Sequence, residues 1–149
     1  MRTITKLKAT LTASFDSFVS NVENQEAVIN QVIFDIKNAL GDVNVRVKET
    51  TRSLEHAKES EKSTLASITK WKVYTQQLHS NDPEKAKECV KRIIGLRKTL
   101  KLHQENILSF ESDIESLNSD RSHIQSKLLQ VKSKKSYLLS KEARSKSSR

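Results

Sequence analysis

Apolar side chains recur every three or four residues along nearly the whole chain. In the C-terminal half this spacing averages 3.5 residues over six heptads, which is typical of helices that pack lengthwise in a coiled coil. The positions of this seam are 96, 100, 103, 107, 110, 114, 117, 121, 124, 128, 131, 135 and 138. All of them are apolar except His103, Arg121 and Lys135. A similar stripe runs from Ile29 to Leu78 and passes through Leu65. The stretch 42–47 alternates like a strand, but the helical period continues on both sides, so we assign it to the helix.

A single proline divides the pattern into two halves. Pro83 follows Asp82, and this pair suits the N-cap and the first position of a helix. We therefore predict an all-α fold, a long antiparallel coiled-coil hairpin over residues 24–142. Its arms are 25–79 and 83–142, joined by a turn at 80–83. Gly41 interrupts the first arm, as a weak point or as a place of close contact.

A separate amphipathic helix is predicted at residues 1–22, ahead of the hairpin. Its apolar face consists of Ile4, Leu7, Leu11, Phe15, Phe18 and Val22. Lys8 lies at the border of this face, and these seven residues are the predicted membrane contacts. The opposite face carries mostly hydroxyl groups. Burying the apolar face in a bilayer contributes roughly 10 kcal/mol, which the cost of ordering the segment nearly cancels. Such a helix lies in a membrane interface with packing defects or high curvature, or packs on the hairpin or a neighbouring subunit. The pattern leaves both alternatives open.

The positive charge is concentrated at the two ends of the chain. Of the net +9, residues 131–149 hold +6 and residues 1–22 hold +2, which leaves +1 for residues 23–130. Basic ends favour anionic lipid as a partner. Nucleic acid is disfavoured, because Tyr137 is the one aromatic side chain in the basic C-terminal region. The final segment, 143–149, is predicted to be a disordered basic tail.

The sequence offers no constellation for catalysis or metal binding. No two histidines are spaced three or four residues apart, and there is no glycine-rich phosphate loop. Cys89 is the single cysteine, so it forms no intramolecular disulfide and is expected to pack as a small apolar residue. No apolar run approaches the length of a membrane span, and no secretory signal is evident. We expect a protein that is not an enzyme and needs no cofactor.

The order of these segments resembles the phage-shock protein A (PspA) family, which includes the vesicle-inducing protein of plastids and belongs to the ESCRT-III superfamily. The likeness rests on the apolar and polar order of residues 28–36, on Trp71 near the hairpin tip, and on the run 86–90 that opens the second arm. Gln25 replaces a proline that is usual in the family, and the turn at 81–83 replaces one containing glycine.

The resemblance implies a cytoplasmic protein, peripheral on the inner face of a bacterial cell membrane. It would assemble with copies of itself, bind stressed anionic bilayers, and maintain or remodel them. Some members of the family use the hairpin to restrain an AAA+ transcriptional activator, and a regulatory or scaffold coiled coil of that kind is the alternative function. The candidate contact residues for such a partner are Trp71, Tyr74 and Leu78. Trp71 also fits the simpler role of an aromatic residue in the seam.

Overall fold

The computed structural model of the chain describes residues 25–148. The predicted amphipathic helix at 1–22, with all seven of its proposed membrane-contact residues, lies outside this range. Two α-helices make up nearly all of the described chain: α1 is Gln25–Leu78, with 54 residues, and α2 is Pro83–Ser147, with 65 residues. They pack together as a helical hairpin, and the described residues contain no strand. The prediction of an all-α hairpin is confirmed, and the strand-like stretch 42–47 is helical.

The turn is built by hydrogen bonds around the end of α1. The carbonyl of Leu78 accepts the backbone N–H groups of Asn81, at 3.2 Å, and of Asp82, at 2.8 Å. Asp82 then caps α2, since its Oδ1 accepts the backbone N–H of Lys85 at 3.2 Å. The predicted N-cap is therefore confirmed, and the connection between the helices spans residues 79–82.

The contacts within the chain divide it into two units, each of which pairs a part of α1 with a part of α2. In the first unit the described residues are 25–47 and 116–148. The largest fully buried side chains of its core are β-branched aliphatic residues that are at most 2% exposed. These are Ile29, Ile36, Val43, Ile124 and Val131. The core also includes Val32, Ala39, Leu117 and Asp120. Side chains such as Leu40 and Leu128 pack against this core from its edges.

The second unit, Lys48–Glu115, has a core of smaller side chains. Its buried residues are Ala57, Thr64, Ile68, Ala86, Cys89, Ile93 and Ile107. Cys89 is 6% exposed and packs as a small apolar residue, as the sequence indicated. The hydroxyl of Thr64 is satisfied locally, because it donates to the carbonyl of Ser60 at 2.8 Å.

One predicted seam position is wrong. Leu65 was placed in the seam, but it is 45% exposed and Thr64 is buried in its place. The reason is the register of the helix. A seven-residue repeat that starts at Ile29 reaches Thr64 after five heptads, and a helix cannot rotate locally to favour one leucine.

The end of α2 also differs from the prediction. The helix continues to Ser147, well into the segment 143–149 that was predicted to be disordered. An ion pair one helical turn apart supports this extension, with Lys146 Nζ at 3.1 Å from Glu142 Oε1. The hydroxyl of Ser147 donates to the carbonyl of Arg144 at 3.1 Å, which adds a second local bond in the last turn.

Gly41 has open space around it. A Cβ atom placed on Gly41 meets nothing within 4 Å beyond its chain neighbours and the backbone of its own helix turn, and the same holds for Gly95. The alternative that Gly41 marks a close contact is therefore not supported, and the helix gains no packing advantage from this glycine.

Candidate membrane and partner surfaces

Three aromatic and cationic side chains meet near the turn of the hairpin. The rings of Trp71 and Tyr74 lie edge to face on α1, with centroids 6.0 Å apart and an angle of 68° between their planes. From α2, the guanidinium carbon of Arg92 lies 4.9 Å from the centroid of the Trp71 ring. This cation–π contact joins the two helices at this point.

The three predicted partner residues differ in how much surface they offer. Tyr74 is 51% exposed, whereas Trp71 and Leu78 are half-buried. Trp71 is thus both a seam aromatic and partly open to solvent, which fits both interpretations made from the sequence. Leu78 is the last residue of α1, and its carbonyl is engaged in the turn.

Arg92 is a member of this cluster that sequence reasoning did not single out. Nothing in the local sequence distinguishes it from the other cations of α2. Its role depends on which residue of α1 lies opposite, and that is fixed by the register of the hairpin. Only the pairing of the two helices brings Arg92 to Trp71.

The charge within the second unit is strongly segregated. Residues 62–101, which we term the turn end, hold ten lysine and arginine residues against three carboxylates, a net charge of +7. The flanking residues 48–61 and 102–115, which we term the waist, hold three cations against eight carboxylates, a net charge of −5. The net charge of +1 over residues 23–130 is the average of these opposite charges and conceals both regions. A shorter window would have found them.

The surface of each unit bears shallow grooves. In the first unit a groove of about 340 Å³ is lined by Ile29, Leu138 and Leu139, with Lys135 and Glu142 among its polar residues. In the second unit a groove of about 630 Å³ has residues from both helices in its wall, including His56 and His103.

A third groove, of about 400 Å³, lies beside the turn in the second unit. It is lined by Thr75, His79, Pro83, Ala86, Lys87, Val90 and Lys91, and the surface that these residues present to it is largely apolar. It adjoins the basic part of α2, since Lys87 and Lys91 contribute to its lining.

Over residues 25–148, no three His, Cys, Asp or Glu side chains are grouped so that they could hold a metal ion. In the same part of the chain, neither helix contains a segment apolar enough to cross a bilayer. Every buried side-chain nitrogen or oxygen in these residues has a hydrogen-bond partner.

Comparison with known proteins gives one family. The model of the PspA/IM30 family matches residues 3–149, which is almost the whole chain. No curated protein matches the chain closely enough to count as a relative.

Proposed function

The chain belongs to the PspA/IM30 family, and on that premise we propose that it is a peripheral membrane protein that assembles with copies of itself and maintains or remodels stressed anionic bilayers. Members of this family are non-enzymatic and membrane-associated. The observation that carries the proposal is the family match, which spans both the predicted amphipathic helix and the hairpin. We place the protein in the cytoplasm, on the inner face of the cell membrane.

Exposed apolar side chains on the hairpin support self-assembly. A pair of helices buries one seam only, so its outer faces need neighbours if they are to exclude water. In the first unit Phe34 is 58% exposed and Leu129 is 68% exposed, and in the second unit Leu108 is 68% exposed. We propose that further copies of the chain cover these side chains.

The predicted helix at 1–22 is the proposed membrane anchor, and vesicle flotation tests it. The variant Phe15→Asp/Phe18→Asp places two charges on the apolar face, where each must be desolvated to enter the bilayer. We expect its binding to anionic vesicles to fall at least about tenfold, since the loss of two buried phenylalanines alone exceeds 1.4 kcal/mol.

The matched control is Thr10→Asp/Ser17→Asp, which adds the same charge to the hydroxyl face of the same predicted helix. This variant should retain most of the binding. If the two double variants float equally well, the apolar face of residues 1–22 is not the anchor and this part of the proposal fails.

A second candidate function is favoured by the aromatic cluster at the turn end. Tyr74 and the open edge of Trp71 offer aromatic surface of the kind that is common in protein interfaces. In this alternative the hairpin binds and restrains a protein such as an AAA+ transcriptional activator. Binding to such a partner in detergent, lost on Tyr74→Ser but retained by Phe15→Asp/Phe18→Asp, would identify this function separately from membrane binding.

A further inference from the structure

The beginning of α2 carries a basic face that is separate from the predicted anchor at 1–22. At about 100° per residue, five cations lie within roughly 60° of Ile94 around the helix. The residues of this face, which we term the basic face, are Lys87, Val90, Lys91, Ile94, Arg97, Lys98 and Lys101. All seven are exposed, with Val90 at 44% and Ile94 at 49%.

No carboxylate lies on the basic face within residues 83–101. Glu84 and Glu88 lie outside it by angle, although they approach two of its lysines. Lys87 Nζ is 3.8 Å from Glu84 and Lys91 Nζ is 3.3 Å from Glu88. These pairs are 73–87% exposed, so they contribute little energy and leave the positive potential of the face largely in place.

We infer that the basic face binds the phosphate groups of anionic lipids, as a second membrane contact besides the predicted anchor. This inference rests on the proposed membrane function. Lysine stems extend along an apolar surface and place their ammonium groups among headgroups, while Val90 and Ile94 contact the outermost acyl region. The apolar groove lined by Pro83, Ala86 and Val90 borders the face and continues its apolar surface.

The composition of the face favours lipid over a protein partner. Four of its five cations are lysine, which is depleted in protein interfaces, and one is arginine, which is enriched there. It has no aromatic side chain to serve as an anchor in a protein pocket. A second copy could instead offer its acidic waist, and the experiment below treats that contact as a competing outcome.

The first measurement locates the contact. In a Cys89→Ala background, Ile94→Cys is labelled with an environment-sensitive fluorophore, and the control label is placed at Val45→Cys. Both sites are about half exposed, with Val45 at 55%, but Val45 lies outside the basic face. Vesicles of equal parts phosphatidylglycerol and phosphatidylcholine should shift the emission of the label at 94 to the blue and leave the label at 45 nearly unchanged. Equal responses at the two sites would overturn the inference.

The second measurement determines how much the basic face contributes to vesicle binding by the full chain. Each cation near an anionic surface strengthens binding roughly fivefold, so Lys98→Gln/Lys101→Gln should weaken vesicle binding roughly 30-fold at low salt. The loss should shrink as salt is added. Lys48→Gln/Lys58→Gln removes the same charge from the waist, whose net charge is negative, and this variant should bind nearly as wild type does.

The outcomes separate this inference from the proposed function. If Lys98→Gln/Lys101→Gln binds vesicles as the waist control does, the inference fails, whereas loss of binding in Phe15→Asp/Phe18→Asp would still support the anchor. If Lys98→Gln/Lys101→Gln reduces the size of assemblies in the absence of lipid and leaves lipid binding unchanged, the face contacts a second copy and the inference is overturned. If the wild-type chain does not bind these vesicles at all, the proposed function itself fails.

Discussion

The two units of the hairpin use the same two helices but bury different side chains. A strict seven-residue repeat along α1 places Ile29, Ile36 and Val43 in the seam of the first unit. In the second unit the same repeat continues with the small or polar residues Thr50, Ala57 and Thr64 before it reaches Trp71 and Leu78, which are half-buried. The periodicity is preserved across both units, but the apolar volume at each step is not.

This difference in buried side chains indicates that the two units have different roles, although one heptad repeat runs through both. The first unit contains the five bulkiest fully buried side chains of the described residues, so the apolar side chains of its seam are the more completely buried. The second unit has the segregated charges, the aromatic cluster and the basic face. We expect stability to reside mainly in the first unit and recognition in the second.

The largest effect should come from truncating the seam of the first unit. Ile36→Ala removes a side chain that is 2% exposed, and we expect a loss of about 3–4 kcal/mol in the free energy of unfolding. The matched change in the second unit is Ile93→Ala, at a site that is 7% exposed and preceded on α2 by the small buried residues Ala86 and Cys89. There we expect about 2 kcal/mol. Guanidinium unfolding followed by circular dichroism, at one protein concentration, measures both. A larger loss for Ile93→Ala would reverse the comparison.

Replacing the two helical glycines should raise the free energy of unfolding by a smaller amount, which we expect to be equal in the two units. Gly41→Ala in the first unit and Gly95→Ala in the second each add a Cβ to open space within a helix. Each should stabilise the protein by about 1 kcal/mol, because alanine has the higher helix propensity and a less flexible unfolded state. Unequal gains, measured by the same unfolding experiment, would show that the units differ in more than seam packing.

The smallest expected change in the free energy of unfolding comes from the buried threonine in the seam of the second unit. Thr64→Val replaces a buried hydroxyl with a methyl group, and we expect a gain of about 0.5 kcal/mol, since added apolar burial outweighs a locally satisfied hydrogen bond. Thr69→Val is the control, because Thr69 is exposed but makes the same type of bond, to the carbonyl of Leu65 at 3.1 Å. Because both variants lose the same type of hydrogen bond, the difference between them measures the contribution of burying the added methyl group. A loss of stability in Thr64→Val that exceeds any loss in the control would mean that the hydroxyl is required in the seam.

The sequence predicted the hairpin and most of the seam, because a long heptad pattern averages over many residues. It failed at Leu65 and Thr64, since the hydropathy of single residues favoured leucine, whereas the seven-residue repeat that starts at Ile29 sets the register and reaches Thr64. It also failed for the end of α2, where the helix continues to Ser147 and its last turns contain local bonds such as that between Lys146 and Glu142.

The site was harder to predict than the fold, for physical reasons. Arg92 reaches Trp71 only because the two helices pair in one register, and no local pattern encodes that pairing. The basic face was hidden by averaging charge over more than a hundred residues, although its lysines are visible in the sequence at helical spacing. The predicted anchor at 1–22 lies outside the described residues and stays a prediction.

Trp71 is the single tryptophan of the chain, so all of the protein's indole emission comes from one place near the turn. The ring is half-buried between the helices, with Arg92 beside it. If the two helices separate there, water reaches the indole and its emission moves to longer wavelength. The emission wavelength of the unmodified protein therefore reports whether the two helices are packed or separated near the turn. It can be measured in solution, on vesicles or in assemblies.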